Sequence, residues 1–217
     1  LSLSHCPLVA DVSALGTVHT LRISEMDVAD ASALGTVHTL DLFRVHELAD
    51  VSALASVHTL QLDASSLDEV SALAAVHTLE LCELRLRDVS ALGTVHTLRI
   101  FGAPLVREVS ALARVHSLEL CNLPLVEDVS ALATVRSLSL VSLPALADVS
   151  ALGAVRRLRL QELPLVCDVS RLGSVHELDL CRLPLLEEVS ALRTVHRLRL
   201  RSLPAVEDLS ALGTVHT

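Results

Sequence analysis

The segment Val-His-Thr-Leu recurs along this chain, and the pattern around it returns every 19 or 20 residues from Leu1 to Thr217. A period of this length is typical of solenoid proteins, because one unit is too small to bury its own apolar side chains and must stack on its neighbours. Eleven units account for all 217 residues, so the sequence predicts a single repeat array over residues 1–217. The units begin at Leu1, Leu21, Leu40, Leu60, Leu79, Leu98, Leu118, Leu138, Leu158, Leu178 and Leu198.

Each unit predicts a short strand followed by one helical turn. Its first three residues, Leu-x-Leu, alternate as a β-strand does between an inward and an outward face. An acidic residue then stands two positions before a serine, as Asp11 does before Ser13, and either residue can cap the helical turn. A glycine such as Gly16 follows the leucine of the turn in six units, where we expect it to end the turn. Prolines are expected to end the strand, because proline lacks the N–H that a β-ladder requires. These prolines are Pro124, Pro144, Pro164, Pro184 and Pro204.

The repeat carries a family resemblance. The segment Leu112-Ala-Arg-Val115-His-Ser-Leu118-Glu-Leu120-Cys-Asn-Leu123-Pro-Leu125 resembles the leucine-rich repeat pattern Leu-x-x-Leu-x-Leu-x-x-Asn/Cys-x-Leu. The Asp-Val-Ser-Ala-Leu segment at residues 128–132 is similar to the Asp-Ile-x-x-Leu segment of internalin-like repeats. The resemblance covers the whole chain. It implies an α/β leucine-rich repeat solenoid, with a curved parallel β-sheet on the concave side and short helical turns on the convex side.

This chain departs from the family pattern at the Asn/Cys position. The usual asparagine ladder is missing, so its backbone hydrogen bonds must be replaced by water or by a different turn geometry. Otherwise each unpaired buried amide would cost roughly 1–3 kcal/mol. The residues at this position are Cys6, Met26, Val45, Ser65, Leu84, Ala103, Leu123, Leu143, Leu163, Leu183 and Leu203.

The second and fourth residues of each unit vary most, so we expect them to face solvent. In a curved solenoid they would line the concave face, and the resemblance implies that this face binds another protein. The two phenylalanines, the only aromatic residues apart from histidine, both occupy the fourth position. Cysteines at that position are expected to be half-buried fillers. The predicted contact residues are Arg22, Phe43, Arg99, Phe101, Arg157, Arg159, Arg197 and Arg199.

Charges alternate along these positions in three consecutive units near the C-terminal end. One explanation is an internal cross-strand ladder of ion pairs, worth roughly 0.2–1 kcal/mol per pair. The other is an arginine-rich end that holds a carboxylate or phosphate group. The residues are Arg157 and Arg159, then Glu177 and Asp179, then Arg197 and Arg199.

Two further residue types, histidine and an acidic residue, recur at one fixed position in most units, and equal positions of stacked units would form columns along the solenoid. Histidines could bind metal, but a repeat places them in register without selection for a ligand set, so we expect no metal site and a pH response instead. The acidic residues could bind calcium, but capping is the simpler explanation. The histidines are His19, His38, His58, His77, His96, His116, His176, His196 and His216, interrupted by Arg136 and Arg156. The acidic residues are Asp11, Asp30, Asp50, Glu69, Asp88, Glu108, Asp128, Asp148, Asp168, Glu188 and Asp208.

Composition excludes several functions. The net charge of −9 disfavours nucleic acid and anionic membranes as partners. No apolar run approaches the roughly 18 residues that cross a bilayer, so no membrane insertion is expected. Nothing resembles a P-loop, a GxGxxG segment or a nucleophile elbow. We therefore predict no catalysis and no cofactor.

The sequence thus predicts a non-catalytic module that binds a protein partner. Two alternatives remain open: a structural spacer or surface array without a specific ligand, and a targeting arm of a larger enzyme. The five cysteines are odd in number and irregularly spaced, which disfavours disulfides and favours a reducing, cytoplasmic location. The chain starts on Leu1 and ends at a repeat boundary, whereas solenoid ends need polar caps. We therefore expect an uncapped excerpt of a longer chain.

Overall fold

The computed structural model describes residues 1–6, 8–9, 11–45, 47–48, 50–64 and 67–213. In this part of the chain eleven parallel strands follow one another in a single open sheet, with neighbours in sequence also neighbours in the sheet. The strands are β1 (Ser2–Ser4), β2 (Thr20–Ser24), β3 (Thr39–Phe43), β4 (Thr59–Asp63), β5 (Thr78–Cys82), β6 (Thr97–Phe101), β7 (Ser117–Cys121), β8 (Ser137–Val141), β9 (Arg157–Gln161), β10 (Glu177–Cys181) and β11 (Arg197–Arg201).

A short 3₁₀ helix follows each strand and lies on the opposite, convex side of the solenoid. The predicted solenoid is confirmed, and its helical component consists of 3₁₀ helices throughout the described residues. None of these helices is long and apolar enough to span a membrane. They are Ser13–Thr17, Ser32–Thr36, Ser52–Ser56, Ser71–Ala75, Ser90–Thr94, Ser110–Arg114, Ser130–Thr134, Ser150–Ala154, Ser170–Ser174, Ser190–Thr194 and Ser210–Leu212.

Equivalent residues of successive units pair in the sheet, so each unit forms one rung of a ladder. Leu40 pairs with Leu60, for example, and Leu42 with Leu62. These inward leucines are at most 1% exposed, and they join the valines and leucines of the loops and 3₁₀ helices in one continuous core. No described polar or charged residue is buried. The stack thus removes from water the apolar surface that a single unit could not bury alone.

A residue with positive φ directly follows most strands. Its φ is between 52° and 67° in ten units, and its N–H usually donates to a backbone carbonyl of the next rung, as Glu83 N–H does to Phe101 O at 2.8 Å. The left-handed turn sends the chain out of the sheet while keeping its backbone paired. These residues are His5, Glu25, Arg44, Glu83, Gly102, Asn122, Ser142, Glu162, Arg182 and Ser202.

This turn replaces the missing asparagine ladder. Because the turn's N–H groups are satisfied between rungs, the side chain at the Asn/Cys position is free to pack into the core. Leu123, Leu143, Leu163 and Leu183 are all 0% exposed. Backbone carbonyls of the next rung thus pair the N–H groups that follow the strands, while Ser65, which holds this position in the fourth unit, lies outside the described residues.

Two details of the predicted repeat were wrong. Proline does not end the strands: β7 ends at Cys121, three residues before Pro124, and β5 ends at the equivalent Cys82 without any proline. Glycine does not end the helical turn through a left-handed conformation either. Gly16 lies inside its 3₁₀ helix, and an added Cβ would overlap the backbone oxygen of Ala33 on the next rung. Its role is close packing between neighbouring helices.

The acidic residues do not occupy the predicted N-cap position, which Val129 holds in the seventh unit, but they accept the first N–H of the helix from one residue upstream. The Asp128 carboxylate accepts a hydrogen bond from the Ser130 N–H at 2.8 Å, which closes an Asx turn at the first residue of the 3₁₀ helix. The same bond occurs in ten units, and among the described residues Glu108 lacks it. Hydrogen bonds from Ser130 hold the pKa of Asp128 below its usual value.

Candidate binding site on the concave face

The outward side chains of the strands form the concave face. Positions 1, 3 and 5 of each strand alternate with the two buried positions, as in the pattern of β3 over Thr39–Phe43. All eight predicted contact residues lie at these outward positions. The six arginines are exposed, whereas Phe43 and Phe101 are half-buried.

Ion pairs between rungs occupy several of these arginines. In the N-terminal half, Arg22 Nε lies 3.4 Å from Asp41 Oδ2. Arg99 lies between Glu80 and Glu119, with an N–O distance of 3.4 Å to each. Sequence reasoning considered a charge ladder only near the C-terminal end and missed these pairs, although equal register of the outward column would have indicated them. Exposed pairs of this kind contribute about 0–1 kcal/mol each.

Asp41 shows what half-burial on this face does to a carboxylate. Desolvation raises its pKa above the usual value, and the nearby Arg22 guanidinium offsets part of that rise. Its second oxygen, Oδ1, is buried without a hydrogen-bond partner.

At the C-terminal end the predicted charge ladder forms in one of the outward columns. Glu177 contacts Arg197 at 3.3 Å and Arg157 at 4.0 Å, so the ladder forms in the first outward column. In the next column Asp179 is in register with Arg159 and Arg199. Asp179 Oδ2 instead pairs with Arg201 at 2.7 Å, because that guanidinium reaches across from the third outward column.

Two guanidinium groups at this end have no carboxylate partner among the described residues. Arg159 donates to the amide oxygen of Gln161, and Arg199 makes no hydrogen bond or ion pair there. Both line a groove of about 320 Å³ over β7 to β11. The Ser139 hydroxyl and Asp179 Oδ1 in the same groove are buried without hydrogen-bond partners. The groove thus exposes two arginines without a carboxylate partner, while the Ser139 hydroxyl and Asp179 Oδ1 lie beneath its surface.

The two phenylalanines stand apart from this groove, at the last position of β3 and β6. The guanidinium of Arg44 lies 5.1 Å from the centre of the Phe43 ring, a cation–π distance. Phe101 is in register with Cys82 and Cys121. Each ring is a single half-buried apolar contact rather than part of an aromatic cluster.

The cysteines of the concave face are unreactive fillers in this environment. Burial raises the pKa of Cys82 to about 12, and nearby carboxylates such as Glu80 add to the rise. Burial also raises the pKa of Cys121, and Cys181 is only 8% exposed. Because the thiolate is the reactive form, neither Cys82 nor Cys121 is suited to nucleophilic chemistry at neutral pH.

The histidines form a stack on the loop that precedes each strand. Rings on successive rungs from His19 to His116 are nearly parallel, with centroids 4.7 Å apart. His176 and His196 stack in the same way at 4.6 Å. No group of three or more potential metal ligands occurs among the described residues, and His216 lies outside them. The histidine column is therefore a surface of parallel imidazoles.

The fold places this chain among the leucine-rich repeat solenoids. An internalin (inlF) from Listeria monocytogenes superposes with a TM-score of 0.68 and 18% identity, over 98% of this chain and 72% of that chain. Internalin C2 (inlC2) from the same organism gives 0.55 and 23%, over 70% and 73% of the two chains. The plant peptide hormone receptor RGFR1, in complex with RGF2, gives 0.54 and 14%, over 91% and 36%.

At the level of sequence, no protein-family model and no curated protein matches this chain. The predicted fold is confirmed by the likeness to solved structures.

Proposed function

We propose that this chain is a non-catalytic module that binds a protein partner on its concave face. The inward positions repeat the same leucines, whereas the outward positions differ from rung to rung in charge, size and polarity. A surface that only completed a scaffold would have no need of this variety. RGFR1, which shares the fold, is a peptide hormone receptor in complex with RGF2, and this supports a similar use of the solenoid.

The observation that carries the proposal is the groove over β7 to β11. Arg159 and Arg199 have no carboxylate partner there, although the same face pairs most of its other arginines. Arginine binds carboxylate and phosphate groups with two parallel hydrogen bonds, so these side chains suit an acidic group of the partner. Phe43 and Phe101 would add apolar contacts toward the other end of the face.

The experiment is affinity capture with crosslinking from an extract of the source cells, comparing the native chain with the double variant Arg159→Glu, Arg199→Glu. Arg114→Glu is the matched control, because Arg114 ends a convex 3₁₀ helix and lies off the concave face. We expect the native chain and the control to retain the same partner and the double variant to lose it. Losing both contacts should weaken binding by at least about tenfold.

A structural spacer or surface array is the second candidate. The near-identical frame and the outward ion pairs, such as Arg99 with Glu80 and Glu119, favour it because they stabilise the array without a ligand. In that case charge reversal at Arg159 and Arg199 would change the melting temperature. It would not change the binding of any partner. A targeting arm of a larger enzyme would use the same face, with its catalytic domain outside this sequence.

A further inference from the structure

The two loops that close each rung differ in the charged and titratable residues that they carry along the array. One loop joins the 3₁₀ helix to the next strand and contains the histidine column; the other joins the strand to the 3₁₀ helix and ends in the acidic cap. Because each rung is one turn of the solenoid, these loops form its two opposite flanks. We call them the histidine flank and the cap flank.

Positive and titratable groups dominate the histidine flank between residues 16 and 197. Its one carboxylate is Glu177, which is already paired with Arg157 and Arg197. No described histidine of the column lies within ion-pair distance of an acid. The other charged groups on this flank are Arg114, Arg136, Arg156 and Arg193.

The cap flank is strongly acidic. Its eleven cap residues are all exposed. Together they carry more negative charge than the net charge of −9 of the whole chain. The residue before the cap adds Asp68, Glu127, Glu187 and Glu207, against Arg87 and Arg107. In most units one carboxylate oxygen accepts the serine N–H, and a carboxylate has further lone pairs for other donors.

The stacked rings make the histidine flank a regular row of imidazoles. From His19 to His116 the six rings follow at 4.7 Å, and four of them hydrogen-bond the next threonine through Nδ1 at 3.3 Å. Once a ring is protonated both of its nitrogens are donors, so Nε2 can then donate to an external acceptor. A partner that uses the whole row must present one acceptor per rung.

The cap flank of the same chain presents such a row. We propose that a second copy of this chain docks side by side, with its cap flank against the histidine flank of the first copy. A simple translation between the copies brings rung opposite rung, so each imidazole or arginine of the column meets one cap carboxylate. Both partners keep a free flank, so the contact is heterologous and extends into rows of molecules. This inference is independent of the concave-face partner.

Protonation strengthens the contact. Histidine is the side chain whose charge ordinarily changes near neutral pH, whereas the arginine guanidinium keeps its charge. The caps remain anionic in this range, because their hydrogen bonds hold the pKa of residues such as Asp30 and Asp50 below the usual value. Association should therefore rise as the pH falls to about 5.5, and it should weaken in salt near 1 M, where charges are screened beyond about 3 Å.

Two charge variants test the proposal by sedimentation. The histidine-flank variant replaces the six stacked histidines by glutamine. The cap-flank variant replaces aspartate by asparagine and glutamate by glutamine on the same six rungs, which removes charge while an amide oxygen still accepts the serine N–H. The first carries His19→Gln, His38→Gln, His58→Gln, His77→Gln, His96→Gln and His116→Gln; the second carries Asp11→Asn, Asp30→Asn, Asp50→Asn, Glu69→Gln, Asp88→Asn and Glu108→Gln.

We expect the native chain to exceed its monomer mass of 23.2 kDa at about pH 5.5 and to return toward it at about pH 7.5. Each variant alone should lose at least about tenfold in association. Mixing the two variants should restore one contact, between the intact histidine flank of one and the intact cap flank of the other, and stop at dimers.

Other outcomes overturn the proposal. Self-association of either variant at the native level would show that the flanks do not meet. A mixture that stays monomeric while the native chain associates would place the contact elsewhere. A cooperative melting transition of all three proteins at about pH 7.5, above the temperature of sedimentation, is the control for folding.

Discussion

His58 and His77 lie on neighbouring rungs with their ring centroids 4.7 Å apart and their planes inclined by 14°. Each ring also makes a hydrogen bond with the threonine that follows it, Thr59 or Thr78, at 3.3 Å. The stack contains no carboxylate, so charge gained by one ring is opposed by its neighbours. This arrangement makes the folded array sensitive to protonation.

Lowering the pH should therefore destabilise the isolated monomer. At dilutions that exclude association, we expect a lower melting temperature at about pH 5.5 than at about 7.5, because charged imidazoles repel one another in the folded state. Each kcal/mol lost would lower the melting temperature by about 2–4 °C. Calorimetry at both pH values measures it. The six His→Gln replacements should remove most of the difference, because among the described histidines only the His176 and His196 pair stays stacked, whereas His5→Gln, whose ring contacts Glu25 outside the column, should preserve it.

Removing one cap should destabilise the array in a position-dependent way. Asp128→Ala removes the acceptor of the Ser130 N–H and should lower the midpoint of urea unfolding, while Asp128→Asn should lower it less. Glu108→Ala is the matched control, since Glu108 makes no such bond with Ser110. Equal losses at both positions would show that the carboxylate acts through charge rather than capping.

The caps also predict acid unfolding. The pKa of residues such as Asp148 and Asp168 is lowered in the folded state by hydrogen bonds from the following serine. Their contribution to stability is therefore complete above the unfolded-state pKa, near 4, and is lost as the pH falls through the lower folded-state value. Unfolding in urea between about pH 2 and 7 should show this loss below about pH 4. Replacing several caps by asparagine should flatten the profile there.

Restoring the family asparagine inside this array should be harmful. Leu163 is 0% exposed and its turn is already closed by the backbone, so Leu163→Asn buries an amide without a partner. We expect a loss of about 2–5 kcal/mol, compared with little change for Leu165→Asn, because Leu165 is 45% exposed. Chemical denaturation of both variants measures the contrast. If Leu163→Asn left the stability unchanged, the turn would be able to rearrange and hydrogen-bond the asparagine side chain.

Much of the fold follows from the sequence because it depends on local period. Alternation in Leu-x-Leu determines which side chains enter the core, and the 19- or 20-residue period determines that equal positions stack. The caps follow for the same reason: Asp128 and Ser130 are two residues apart, and their bond forms within one turn of chain. The outward location of Arg159, Arg199, Phe43 and Phe101 also follows from alternation.

The remaining features depend on neighbouring rungs, which are about 20 residues apart in sequence. Asp179 pairs with Arg201 rather than with its register partners Arg159 and Arg199, because side-chain reach across the sheet decides the partner. Gly16 has no room for a Cβ because the next 3₁₀ helix packs against it. Most strands are followed by a residue with positive φ, whose N–H usually donates to a carbonyl of the next rung. Period and alternation determined the solenoid and its faces, whereas only tertiary structure decided which charges remain free, because that choice requires the distances between rungs.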